Sequence, residues 1–263
     1  MINLHRSVSS ALTIAEIEAR KIRHDSTELW MRTVQPALWL LVFGEVFNAV
    51  FNAQSKAYSY IYPYKYIQYI APGVLAQSVL FVAIFYGITI VWERDVGLLT
   101  KLLSTPSPRL SVVVGKALAA GVRGIFQGVM VFILALIIGI NLRFDPLDVA
   151  GVFIAAVLLA MCFASLSMTL ASFLKTRDRM MGIGQAITMP LFFASNAIYP
   201  VSLMPVWLQY ISKFNPLSYG VDAMRCMLLT GDYSALPFDI LALVLSTLFF
   251  IICASVVLKR LVE

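Results

Sequence analysis

Six apolar runs, at residues 33–52, 69–91, 111–140, 147–173, 180–199 and 238–258, constrain this chain more than any other feature. A helix that crosses the hydrocarbon core of a bilayer needs ~20 predominantly apolar residues, because no water is there to satisfy exposed backbone groups. Each run is about that long or longer. Only 13% of the residues are charged and 60% are hydrophobic, whereas soluble domains carry roughly 25% charged residues. The expected fold class is an all-α polytopic membrane protein with six transmembrane helices. The fourth run has the clearest start: Asp145 can cap it, Pro146 suits its first helical position and Asp148 falls in its first turn. The sixth begins near Pro237 and Asp239 and stops at Lys259 and Arg260.

The distribution of charge orients these helices. With the N-terminus placed in the cytosol, the inner segments hold 15 of the 20 Lys and Arg residues, and the outer loops hold 5: Lys56, Lys65, Arg143, Lys213 and Arg225. Positive residues concentrate on the cytoplasmic side of membrane proteins, so both termini are expected inside. The net charge of +6 is then a signal of topology and implies no nucleic-acid partner. The third run is too long for one crossing. Gly124 to Ile140 is 17 residues, or ~26 Å of helix, which places Arg123 at the inner interface as a snorkelling side chain and Lys116 beyond it.

Two amphipathic segments lie outside the spans. Residues 93–110 read ERDVGLLTKLLSTPSPRL, with Leu98, Leu99, Leu102 and Leu103 at helical spacing and Thr100, Lys101 and Ser104 between them. Glu93 and Asp95 stand at the start, where acidic groups favour a helix N-terminus, and Pro106 and Pro108 end it. The orientation puts this insert, a helix of about two turns, in the cytosol. Ahead of the first span, Leu4, Val8, Leu12, Ala15, Ala19 and Ile22 repeat every three to four residues. Residues 1–32 therefore read as an amphipathic helix in the headgroup plane, with no leader-like apolar run.

The outer side is aromatic. Tyr58, Tyr60, Tyr62, Tyr64 and Tyr66 alternate strictly, as in an interfacial belt. The loop at 200–237 holds two apolar stretches too short to span, which read as re-entrant or interfacial helices. Glu45 is the one acid inside a span, and such residues are costly enough to suggest a pathway or packing role. Pro190 implies a kink or break in the fifth span. Gly124 with Gly128, and Ala156 with Ala160 and Ala164, mark faces for close helix approach.

Several chemistries are excluded. His5 and His24 lie far from the spans, so no Ser-His-Asp set can form, and no catalytic residue is expected. Cys162, Cys226 and Cys253 lack metal-ligand spacing, so no metal site is expected. The segment SVVVGKA at 111–117 lacks both the upstream glycine and the hydroxyl residue after Lys116 that a phosphate loop needs. An ion- or proton-coupled carrier would need several buried charges, and only Glu45 qualifies. A non-transporting scaffold or sensor would not need the insert.

Three segments, in order, resemble the type-2 ATP-binding-cassette (ABC) exporter permeases: YIAPGVLAQSVLF at 69–81, ERDVGLLTKLLSTPSPRLSVVVGKAL at 93–118 and SNAIYPVSLMPVWLQYISKFNPLSYGVDAMRCMLLTG at 195–231. The resemblance implies one permease domain over 1–263 and the role of a half-transporter. A second copy, identical rather than different, would complete the pathway, and a separate nucleotide-binding subunit would hold ATP and Mg; this chain itself would carry no cofactor. The resemblance makes 1–32 a connecting segment, 93–110 a coupling helix and 200–237 an outer re-entrant loop. Coupling would rest on Glu93, Arg94, Asp95, Gly97, Leu98, Leu99, Leu102 and Leu103, and the pathway or its packing on Glu45, Tyr199 and Pro190. The expected location is the cell membrane, with lipid as a further partner. The family often has Thr-Leu-Glu where this chain has Leu98, Leu99 and Thr100, so the acid of that motif is missing.

Overall fold

The computed structural model describes residues 13, 15–17, 20, 27–50, 61, 63–97, 99, 109–174 and 176–258. Among them the regular structure is helical, with no strand. Helix α1 (Thr27–Leu38) passes through a π segment (Trp39–Phe43) into α2 (Gly44–Val50). Then come α3 (Tyr66–Asp95), α4 (Arg109–Ile138), α5 (Pro146–Ala171) and α6 (Arg177–Phe193). Two short helices follow, α7 (Val206–Phe214) and α8 (Pro216–Arg225), the second running into a π segment at Cys226–Thr230. Helix α9 (Leu236–Val257) is last.

Among the described residues, four helices are long and apolar enough to cross a membrane: α3, α4 from Leu110, α5 and α9. The first expected span falls on α1, its π segment and α2. The wide turn begins three residues after Pro36, which has no N–H to give the helical ladder. The fifth expected span is shorter than its apolar run. α6 has 17 residues and ends at Phe193, and Ala194–Ile198 continue as buried irregular chain. Buried carbonyls there need donors, and side chains supply them: Tyr66 Oη donates to Ile198 O at 3.0 Å and Arg225 Nη2 to Asn196 O at 2.8 Å.

Helix α3 is the centre of the molecule. In its most apolar stretch 83% of residues are buried, against 22% in α9. It packs on α5, α4, α6, α8 and α1. Small residues set the closest approaches. A Cβ on Gly124 of α4 would stand 3.0 Å from Ala160 Cβ of α5, so the two small-residue faces expected from the sequence meet each other. A Cβ on Gly87 of α3 would stand 2.7 Å from Ala164 O, and one on Gly73 would run into the backbone of Ala197. Ser167 Oγ of α5 donates to Ile84 O of α3 at 2.7 Å, fixing this pair further. α5 starts as its sequence dictates: the Asp145 carboxylate accepts from Leu147 N at 3.0 Å, with Pro146 in the first turn.

α7 and α8 hold to the rest through polar contacts at their junction. Asn215 caps α8 by accepting from Leu217 N, and its Nδ2 donates to Leu191 O of α6 at 2.7 Å. Arg225, 9% exposed, lies with its guanidinium carbon 3.9 Å from the Tyr69 ring centroid and pairs with Asp222 at 3.1 Å. The apolar stretch at 216–229 is thereby buried within the protein.

Of the N-terminal segment, Thr13, Ala15–Ile17 and Arg20 are helical. Ala15 is buried, while Glu16 and Arg20 are exposed and paired at 2.7 Å. The other residues of that expected stripe lie outside the described residues, as do Tyr58, Tyr60 and Tyr62.

Candidate functional site: the charged ends of α3 and α4

The apolar run that begins α3 ends near Val91, but the helix does not. Trp92, Glu93, Arg94 and Asp95 form its last turn. The sequence reading placed Glu93 and Asp95 at the start of the insert helix; the structure places them at the end of the spanning one. The hydropathy changes at Glu93, and the backbone ladder continues past that change. At 30 residues α3 is ~45 Å long, longer than the ~30 Å hydrocarbon core. Gly97 terminates it with φ 73°, a left-handed conformation that glycine adopts without strain, and its N–H donates to Arg94 O at 2.9 Å.

Acids at a helix C-terminus face the negative end of the helix dipole, so they need cations nearby. Arg94 supplies one to Asp95 at 2.9 Å. Lys116, from the second turn of α4, supplies the other. Its Nζ lies 2.6 Å from the Glu93 carboxylate, with 4% of the Lys116 side chain and 13% of the Glu93 side chain exposed. Lys116, expected beyond the interface, is interior to the protein. Beside it the Tyr86 ring faces two cations, Lys116 Nζ at 5.8 Å and the Arg123 guanidinium at 4.7 Å. Arg123 is half-buried against that ring, as the long stem of a snorkelling arginine permits.

The insert joins these two helix ends directly. Of its leucine ridge the structure describes Leu99, which is fully buried and belongs to the main apolar core. Its side chain seats within this chain. Leu98, Leu102 and Leu103 lie outside the described residues.

The remaining expected residues are elsewhere. Tyr199 and Pro190 come together towards the opposite end of the bundle, on an apolar groove of about 480 Å³ that Trp207 and Ile211 also line. Tyr199 Oη donates to Phe193 O at 2.6 Å. Glu45 stands exposed in the first turn of α2 and has no ion-pair partner among the described residues. Tyr66 and Glu93 are 27 residues apart on α3, so the two ends lie ~40 Å from each other. Sequence reasoning missed the Glu93–Lys116 pair. No local pattern joins residues 23 apart; the available signal was that two charges flanking one insert need each other once both helices run past the membrane.

Comparison with known proteins agrees with this architecture. The sequence profile described as "ABC-2 type transporter" matches residues 10–229. A protein of Cyanophora paradoxa named "Putative transport permease ycf38" is 30% identical over 194 residues, covering 73% of this chain and 64% of that relative. The chain thus spans less than two thirds of that relative's length. "Inner membrane transport permease YadH" of Escherichia coli K12 is 25% identical over 228 residues, 81% of this chain and 82% of that protein. "Daunorubicin resistance ABC transporter permease protein DrrB1" of Streptomyces coeruleorubidus is 23% identical over 161 residues, 61% and 57% of the two chains.

Proposed function

Because this chain belongs to the ABC-2 type transporter family, we propose that it is the membrane subunit of an ABC exporter. It moves a drug, lipid or glycan-type substrate outward, driven by ATP hydrolysis on a separate nucleotide-binding subunit that holds ATP and Mg. In this reading α1–α2 and α6 complete a set of six spans with α3, α4, α5 and α9. Both termini are cytoplasmic, and two identical copies enclose the pathway.

The observation that carries this reading is the buried Glu93–Lys116 pair at the root of the insert. A segment that receives force from a moving partner must pass it on without bending. Here the insert is attached to two 30-residue helices, and those helices are fastened to each other at the point of attachment. Leu99 anchors the insert to the body, which leaves Leu98, Leu102 and Leu103 to meet the ATPase. Arg94 and Asp95 orient the contact by charge, and Gly97 sets the turn into it. The substrate leaves past Tyr199 and the groove beside Pro190. A secondary carrier would use acids buried in mid-span; Glu45 is exposed, and the buried Asp148 and Asp239 lie in the first turns of α5 and α9.

Replacing Leu98 and Leu102 together by Asp should abolish co-purification with the ATPase subunit while the melting temperature of the isolated chain in detergent stays put. Normal assembly and normal substrate-stimulated ATP hydrolysis in that variant would sink the coupling role.

A further inference from the structure

Two adjoining cavities open within the helix bundle, away from the groove at Tyr199 and reaching at one end to Tyr86, Trp92 and Arg123 beside the Glu93–Lys116 pair. The first, of about 360 Å³, is lined by Arg32, Gln35, Gln77, Ser78, Gln127 and Gln185, with apolar residues between them. The second, of about 260 Å³, shares Arg32, Val82 and Phe85 with it and adds Tyr86, Trp92 and Arg123. Four amides from four different helices converge on one space. Gln77 and Gln127 are 2% and 1% exposed. Among the described residues, neither Nε2 of Gln77 nor Nε2 and Oε1 of Gln127 has a hydrogen-bond partner. An unsatisfied buried amide costs about 1–3 kcal/mol, so two facing one cavity call for an explanation.

The helix positions give the depth. Gln77 is 11 residues from the outer end of α3 and Gln127 is 11 residues from the outer end of α4. Both therefore lie ~16 Å in from those ends, near the middle of a ~30 Å core. The Trp39 ring meets Phe192 edge-on at 5.2 Å, joining the α1 run to α6 one to two turns outward of Gln35 and Gln185. The cavity thus lies between α1 and α6 beneath that contact. It continues inward past Arg32, whose guanidinium is 5.8 Å from the Phe85 ring centroid, to Arg123 and Trp92. Cationic groups therefore line the inner part, and amides that both donate and accept line the deep part.

We propose that this space is a binding site for the head of an anionic, hydroxyl-bearing amphiphile such as a phosphoglycerol or sugar-phosphate group. The acid group pairs with Arg32 and Arg123, the hydroxyls exchange hydrogen bonds with Gln77 and Gln127, and the acyl chains leave through the gap between α1 and α6. The combined size suits such a head, since pockets for small ligands run ~300–1,000 Å³. The inference deepens the transport reading by naming a substrate class, and its test needs no ATPase, so its failure and the failure of the coupling role are distinguishable.

The full chain, purified in detergent, is titrated with phosphatidylglycerol and with phosphatidylcholine, and bound lipid is counted by native mass spectrometry. A second arm adds soluble sn-glycerol 1-phosphate as competitor, which distinguishes a membrane lipid from a free polyol phosphate as the source of the head. The wild-type chain should retain one phosphatidylglycerol in preference to phosphatidylcholine, or else bind the soluble phosphate with the same residue dependence. Gln77→Leu combined with Gln127→Leu should weaken retention about tenfold or more. The melting temperature of that variant should be equal or higher, because two unpaired amides are gone. Gln127→Glu should repel the same lipid and spare phosphatidylcholine. Equal retention of both lipids by wild type together with no binding of the soluble phosphate, or unchanged phosphatidylglycerol retention and phosphate binding in both variants, would overturn the proposal.

Discussion

At Lys116 the chain buries an ammonium group, and a single carboxylate 2.6 Å away offsets the cost. The pair as a whole can be close to neutral for stability, since desolvating two ions is expensive; removing one partner is not, because the other is left buried and uncompensated, at about 3–5 kcal/mol. Lys116→Met should therefore destabilise the chain by about that amount in denaturant unfolding from detergent micelles. Adding Glu93→Gln to Lys116→Met should recover most of the loss. Equal losses in the single and double variants would show that the two residues are not coupled. Sequence showed both charges but not their meeting, because helix periodicity reports a residue's own face and says nothing of which distant helix that face meets. The amides were visible in the same way. Gln77 and Gln127 stand in apolar runs, and a search for ionisable groups alone passes over them even though a buried amide is also an anomaly.

Among the elements, those whose boundaries follow from local chemistry were legible: α5 starts at its Asp145 cap and Pro146, as its sequence says. The end of α3 was not legible, because a change from apolar to charged residues locates the membrane surface rather than the last hydrogen bond. Nor was the π segment in the first span, WLLVF, which contains no residue that alters the backbone; Pro36 upstream is the only local hint. The end of α6 depends on Tyr66 and Arg225, remote residues that satisfy an irregular strip of chain. Contacts between small residues were legible as faces and became specific only with the partner in place. Gly87 shows how tight they are, with a Cβ there only 2.7 Å from Ala164 O. Gly87→Val should destabilise the α3–α5 pair by about 1–3 kcal/mol or more, read as a lowered unfolding midpoint. An unchanged midpoint would mean that this approach relaxes freely.

In the molecule as a whole, one helix connects every place discussed. α3 carries Glu93 at its C-terminal end, Gln77 on the deep cavity and Tyr66 beneath the strip that leads to Tyr199. It is held at two heights, at Gly87 against α5 and at Gly73 against Ala197, 14 residues or ~21 Å apart. A beam clamped at two points resists tilting against its supports, so α3, α5 and the strip at 194–200 have to be displaced as one stiff body. Spin labels at exposed Val96 and Leu203 should then keep their separation when the assembled transporter binds ATP, while the distance from Val96 to a label at Met31 changes. A Val96–Leu203 distance that moves with nucleotide would show that α3 flexes. Under this loading the compliance of the protein resides in its least clamped parts, α1 with its widened turn and α6 with its proline. Those are the two walls between which the amide-lined cavity lies, so the stroke that reaches the beam is expressed as a change in the width of that cavity.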